Sequence, residues 1–198
     1  MKKLVVANWK SNMPRFTPPN GSIVAAAFPF INMLPEGIIR AAQDVSRFEK
    51  GAYTGEVTAE MLKSLRVQYC LIGHSERRKY FNETLEIIRE KIKRLLEQGI
   101  VPIVCAQNEE EVVEGGYIMF EPETAISTPG NFHPESPEKV AEIILDWKNK
   151  FKTKILYGGS INGENIKDYL EADGFVVGQA SLEAASFLNL IKALEGLG

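Results

Sequence analysis

Residues 67–80 read VQYCLIGHSERRKY. The run from Val67 to Ile72 is apolar without strict alternation, which suits a strand buried on both faces, as in a parallel sheet. At Gly73 it stops, and His74, Ser75, Glu76, Arg77 and Arg78 follow. A charge run at the end of an element is ordinarily a solvated face. Yet one of only two histidines in the chain stands at this junction, so the alternative is the mouth of an active site. What stands at the ends of the other strands decides between the two.

Runs of the same kind recur on both sides: LVVA (4–7), SIVAAAF (22–28), IIRAA (38–42), IVPIVCA (100–106), YIMF (117–120), KILY (154–157) and GFVV (174–177). Amphipathic helices lie between several of them. Leu85, Ile88, Ile92, Leu95 and Leu96 form one stripe over 82–98, with Asn82 as the expected N-cap and Gly99 as the stop. Ser136 caps a second helix whose face is Val140, Ile143, Ile144, Trp147 and Phe151, with Pro137 in its first turn. Shorter helices are expected over 58–65, 162–170 and 181–194. Eight strands alternating with helices define an α/β chain, and a closed (β/α)₈ barrel is the architecture that fits, as a single domain over 1–198.

Three intervals break the alternation. KSNMPRFTPPNG (10–21) carries three prolines and no helical period, PFINMLPEG (29–37) has room for about one turn, and QNEEEVVEGG (107–116) for about two. The barrel is therefore expected to lack its first two outer helices and to keep a stub of the fifth.

Composition excludes several classes. The 198 residues carry a net charge of −3, so no basic surface argues for nucleic acid or an acidic membrane. No apolar run approaches the ~18 residues of a membrane span, and MKKLVVANWK does not read as a secretory leader. Cys70 and Cys105 sit inside apolar runs, without metal-ligand spacing, and read as reduced buried thiols of a cytoplasmic protein.

In a barrel of this kind chemistry gathers at the carboxyl ends of the strands. Asn8-Trp9-Lys10 follows the first run, His74-Ser75-Glu76 the fourth, and Glu121-Pro122 the sixth. A cation, a proton-exchanging ring and a carboxylate would thus converge on one point. Gly158-Gly159-Ser160 and Gly178-Gln179 follow the seventh and eighth runs. Glycines there let backbone N–H groups approach an anion, as a phosphate site requires, and a plain tight turn at Gly158-Gly159 is the alternative reading.

These motifs resemble the triosephosphate isomerase family along essentially the whole chain: ANWK (7–10), GAYTGEVTAEML (51–62), LIGHSERR (71–78), FEP (120–122) with AIST (125–128), YGGS (157–160) and DGFVVGQASL (173–182). The resemblance implies a TIM barrel that interconverts dihydroxyacetone phosphate and glyceraldehyde 3-phosphate through an enediolate, with no metal or organic cofactor. It implies Glu121 as the base, His74 as the electrophile, Lys10 as the cation, Asn8 as a positioning group and Glu76 as a supporting residue. A glutamate base paired with a histidine kept neutral by a helix N-terminus is a pattern for which this family is itself the established example. Backbone N–H groups of Ser127, Ser160, Gly178 and Gln179, in the setting of Gly158 and Gly159, would hold the phosphate. Residues 122–130 match the family's lid, and the 44–57 loop matches an arm in which Thr54 reaches a partner subunit, implying a homodimer or larger homo-oligomer.

The chain also departs from the pattern. Glu123 and Thr124 stand where the first hinge is usually apolar and aromatic, Pro129 falls in the second hinge, Phe120 precedes the base, and VCAQN (104–108) is unusual. Ser127 and Gln179 stand for glycines, so the Gln179 side chain is expected to point away from the ligand. Reduced activity is the expectation. A degenerate barrel that binds phosphometabolites without catalysis, or a different sugar-phosphate isomerase, are the alternatives. Phe16 and the prolines around it are expected to cover part of the bare barrel wall and subunit contacts the rest, and His133 is expected at the surface.

Overall fold

A computed structural model describes residues 3–125 and 133–196. Eight strands, β1 (Leu4–Asn8), β2 (Ile23–Ala26), β3 (Ile39–Ala42), β4 (Tyr69–Ile72), β5 (Val101–Ala106), β6 (Tyr117–Phe120), β7 (Ile155–Tyr157) and β8 (Gly174–Val177), pair in sequence order, all parallel, and β8 closes on β1. Among the described residues six α-helices accompany them: α1 (Phe28–Ile31), α2 (Ala59–Ser64), α3 (Ser75–Phe81), α4 (Leu85–Glu97), α5 (Pro137–Phe151) and α6 (Ala184–Glu195).

The period of two along each strand sorts side chains between interior and wall. Val6, Ala25, Leu71, Ile103, Cys105, Met119, Leu156 and Val176 pack together as one cluster inside the barrel. Their neighbours Ala7, Val24, Cys70, Ile72 and Val104 instead join the layer under the helices. Both cysteines are free thiols and buried, as expected.

The outer helices that the sequence leaves no room for are absent or minimal. No helix lies between β1 and β2, α1 is a single turn, and the fifth is reduced to a 3₁₀ turn at Glu109–Glu111. The wall is nonetheless covered within one chain: Val24 and Ala26 are 0% and 1% exposed. Phe16 packs between Trp9 and Phe187, with ring centroids 6.3 and 6.5 Å away, and Pro18 is buried as well. Ile31, Leu34 and Ile38 complete the cover. Ala7, Ala26 and Ala42 present only a methyl group outward, so an irregular segment lies close enough to exclude water where larger residues would need a helix. Subunit contacts are therefore not needed to cover these strands, contrary to expectation, although Met13, Phe28 and Met33 stay exposed.

Other boundaries also differ. Asn82 does not begin α4. It ends α3 in the left-handed conformation, with φ +52, and Thr84 is the cap of α4, accepting from Ile87 N–H. The 162–170 segment is only a 3₁₀ turn at Ile166–Tyr169, because the Asn162 side chain accepts from Glu164 and Asn165 N–H in a local turn. Ser181 is buried with its hydroxyl donating back to Val177 and Gly178 carbonyls, so α6 starts only at Ala184. Ser136 caps α5 as read, and His133 is exposed.

Candidate active site

The ends of β1, β4, β6, β7 and β8 meet around a cavity of about 280 Å³, lined by Asn8, Lys10, His74, Glu121, Gly158, Gly159, Gly178 and Gln179. Asn8, His74 and Glu121 are each buried, whereas Lys10 is half-buried. A second cleft, about 420 Å³, shares Asn8, Lys10 and His74 but opens toward β2, β3 and the arm loop. The smaller cavity is the one equipped for chemistry, since of the two it alone holds Glu121 and the glycine-rich turns.

His74 caps α3. Its Nδ1 accepts the Glu76 N–H at 3.3 Å, while the Glu76 carboxylate, 3.7 Å away, is outside hydrogen-bond range. A nitrogen that accepts carries no proton, so the ring presents Nε2–H to the cavity. Nε2 lies 3.5 Å from Glu121 Oε1, and the Ser75 hydroxyl donates to Glu121 Oε2 at 2.9 Å. Lys10 Nζ donates to Glu76 Oε1 at 2.7 Å. The Lys10 backbone is left-handed, φ +48, a costly state for a residue with a Cβ. Its N–H donates to Asn8 Oδ1 at 3.1 Å, and its carbonyl accepts from Gln43 Nε2 at 2.9 Å.

The Gly158–Gly159 turn leaves no room for side chains, whereas a Cβ on Gly178 would meet nothing closer than Lys10 Cε at 3.8 Å. A Cβ on Gly158 would meet Met119 Sδ at 2.6 Å, and one on Gly159 would meet the Tyr157 hydroxyl at 2.2 Å. With bare backbone facing the cavity, an anion has donors to bind. Ser160 does not line this cavity: it is buried, and its hydroxyl donates to the Ala125 carbonyl at 3.0 Å. Gln179 lines it next to Gly178. Ser127 and Pro129 lie outside the described residues. Thr54 is exposed on the arm loop and does not line the cavity of its own chain.

The triosephosphate isomerase family model matches residues 20–117 and 109–194. The chain belongs to that family. Triosephosphate isomerase of Thermus thermophilus is 37% identical over 226 aligned positions, covering 93% of this chain and 90% of the relative. That of Paracidovorax citrulli is 36% identical over 246, covering 97% and 98%. Both alignments are longer than the 198-residue chain, so the missing residues are internal to the match. The crystal structure of triosephosphate isomerase from Bartonella henselae superposes with a TM-score of 0.83 over 98% of this chain and all of the other, at 21% identity, which bears on the fold.

Three residues of the site are not picked out by the sequence pattern used above. Gln43 is the first polar residue after β3, and the strand-end rule applied to that run would have found it. Ser75 lies in plain view inside HSERR without an evident role. Arg78 ties α3 to the barrel rim, donating from Nε to Gly73 O at 2.7 Å and from Nη2 to the Cys105 and Glu111 carbonyls at 3.0 Å each. The charge run is therefore in part a site and in part its scaffold.

Proposed function

We propose that this chain is a triosephosphate isomerase that interconverts dihydroxyacetone phosphate and D-glyceraldehyde 3-phosphate through an enediolate. The observation that carries the reading is the approach of His74 Nε2 to Glu121 Oε1, 3.5 Å, at the edge of a glycine-walled cavity. Glu121 removes a proton from one carbon of the substrate and returns it to the next. His74 Nε2–H hydrogen-bonds the two substrate oxygens and stabilises charge as it shifts between them. Lys10 adds a positive field that favours both the phosphate dianion and the enediolate. Asn8 and Glu76 hold the lysine backbone and ammonium in position. Backbone N–H groups of Gly159, Gly178 and Gln179 take the phosphate; the family resemblance adds Ser127 and Ser160 as donors, of which Ser160 does not line the cavity.

A barrel kept only for binding has no use for a buried carboxylate held by Ser75, so nothing favours the non-catalytic alternative. The family implies a place in glycolysis and gluconeogenesis, and free buried thiols suit a cytoplasmic setting. Among the described residues no helix is long and apolar enough to cross a membrane. We read the assembly as a homodimer, in which Thr54 of one arm approaches Lys10 and Asn8 of the other subunit across the larger cleft.

The test is a coupled assay of purified protein with glyceraldehyde 3-phosphate, beside longer aldose phosphates. Turnover of the triose alone supports the reading. Turnover of a longer sugar phosphate in preference would overturn the substrate assignment, and absence of any turnover would overturn the reaction. Sedimentation at enzyme-assay concentration tests the dimer: a single monomeric species contradicts it.

A further inference from the structure

We infer that Glu135 is a positioning residue for the base, acting through the hydroxyl of Thr124. The inference rests on Glu121 being that base. Directly after Glu121 and Pro122 the chain makes a 3₁₀ turn, Glu123–Ala125, closed by Ala125 N–H on the Pro122 carbonyl at 2.9 Å. The turn is tethered on two sides. Ser160 donates to the Ala125 carbonyl at 3.0 Å, and the Thr124 hydroxyl donates to Glu135 Oε2 at 2.7 Å. The second distance is that of a charge-assisted hydrogen bond.

Glu135 is itself anchored on three sides, which separates it from an ordinary surface carboxylate. Lys139, on α5, reaches the same Oε2 at 3.0 Å, and Ser136 N–H donates to Oε1 at 3.2 Å. The Glu135 carbonyl accepts from the Tyr169 hydroxyl at 2.6 Å, and Tyr169 stacks on Tyr157 at 4.7 Å. Tyr157 ends β7, next to Gly158. A line of contacts thus runs from the glycine turn through Tyr157, Tyr169 and Glu135 to Thr124, in the turn that follows Glu121. Although it stands in an irregular segment, the Glu135 side chain is only 15% exposed.

Pro122 stiffens the link between base and turn by fixing φ. A rotation of the turn therefore has one torsion fewer in which to be absorbed before it reaches the Glu121 Cα. Catalytic geometry tolerates only about half an ångström of error, and about 1 Å can cost on the order of a hundredfold in rate. Thr124 is exposed and packs no core, so its hydroxyl can be removed without unfolding the protein.

The experiment compares Thr124→Val, Thr124→Ser, Glu135→Ala and the Thr124→Val/Glu135→Ala double variant, with Glu121→Gln alongside. The expected result is that Thr124→Val lowers kcat about five- to tenfold, the loss of one such hydrogen bond in the transition state. The inhibition constant for inorganic phosphate and the thermal midpoint stay unchanged, Thr124→Ser restores kcat, and the double variant is no worse than Glu135→Ala. Unchanged kcat in Thr124→Val, independent multiplication of the two losses, or a loss of kcat tracked by a fall in thermal midpoint would overturn the inference. If those results came with an inactive Glu121→Gln, the base assignment would stand and only the brace would fall. An active Glu121→Gln would remove both.

Discussion

Gln43 holds Lys10 by its backbone. Its Nε2 donates at once to the Lys10 carbonyl, 2.9 Å, and to the Ala25 carbonyl at the end of β2, 2.8 Å, where Lys10 is in the left-handed region. The cation is thus fixed by a strand that does not carry it. Replacing Gln43 with Leu is expected to lose both bonds and let Lys10 relax to an ordinary φ, lowering kcat/KM by roughly ten- to thirtyfold for two hydrogen bonds of about 1 kcal/mol each. Steady-state kinetics with an unchanged circular dichroism spectrum checks it.

The Gly159 turn has no slack. Gly159→Ala brings a Cβ within 2.2 Å of the Tyr157 hydroxyl and 2.4 Å of its Cζ. Overpacking of this kind costs about 1–3 kcal/mol, and phosphate inhibition should weaken with it. Because the ring carbon clashes as well as the oxygen, adding Tyr157→Phe is expected not to rescue the variant. Urea titration and phosphate inhibition of both variants decide it.

Beside the arm loop, Lys91 Nζ lies 2.7 Å from Glu83 Oε1 and 2.6 Å from Asp44 Oδ1, while Arg77 Nη2 lies 2.8 Å from Asp44 Oδ2. The Lys91 and Glu83 side chains are almost fully buried. Glu83→Ala leaves the buried ammonium with Asp44 alone and one hydrogen bond short, and a loss of about 1–3 kcal/mol in unfolding free energy is expected. Replacing Glu83 and Lys91 together by Leu and Met is expected to cost less than Glu83→Ala, because the under-partnered ammonium is removed with its carboxylate and apolar packing takes its place. Urea unfolding of the three proteins measures the difference.

Burial pushes both the Cys70 and the Cys105 thiol well above the ordinary cysteine range. The reactive thiolate is thereby suppressed in the native state. The folded protein is expected to react with a disulfide reagent at pH 8 far more slowly than free cysteine, and to release two thiols per chain on denaturation. Raising the pH by one unit should accelerate a free thiol yet leave the native protein slow.

The barrel was legible because its strands are apolar on both faces, as buried parallel strands are, and because eight such runs recur along the chain. Helices with a buried stripe, such as α4 and α5, were legible for the same reason. Helix α3 was not, because none of its residues is buried and no periodicity marks it. Asn82 was misassigned since Asn suits both a cap and a left-handed helix end, and tertiary packing chose the latter. The convergence of Lys10, His74 and Glu121 followed from strand ends alone. The Gln43 contact, the Ser75 bond to Glu121 and the Thr124–Glu135 brace join residues 33, 46 and 11 positions apart. They depend on how the closed barrel brings those side chains together, which single-residue chemistry does not encode.

The most direct measurement is isomerisation of glyceraldehyde 3-phosphate by the protein beside Glu121→Gln, prepared identically to exclude contaminating host enzyme. The expected result is turnover in the first and a loss of at least about a hundredfold in the second, the range of a missing general base. Equal rates in the two preparations would contradict the assignment of Glu121 as the residue that moves the proton.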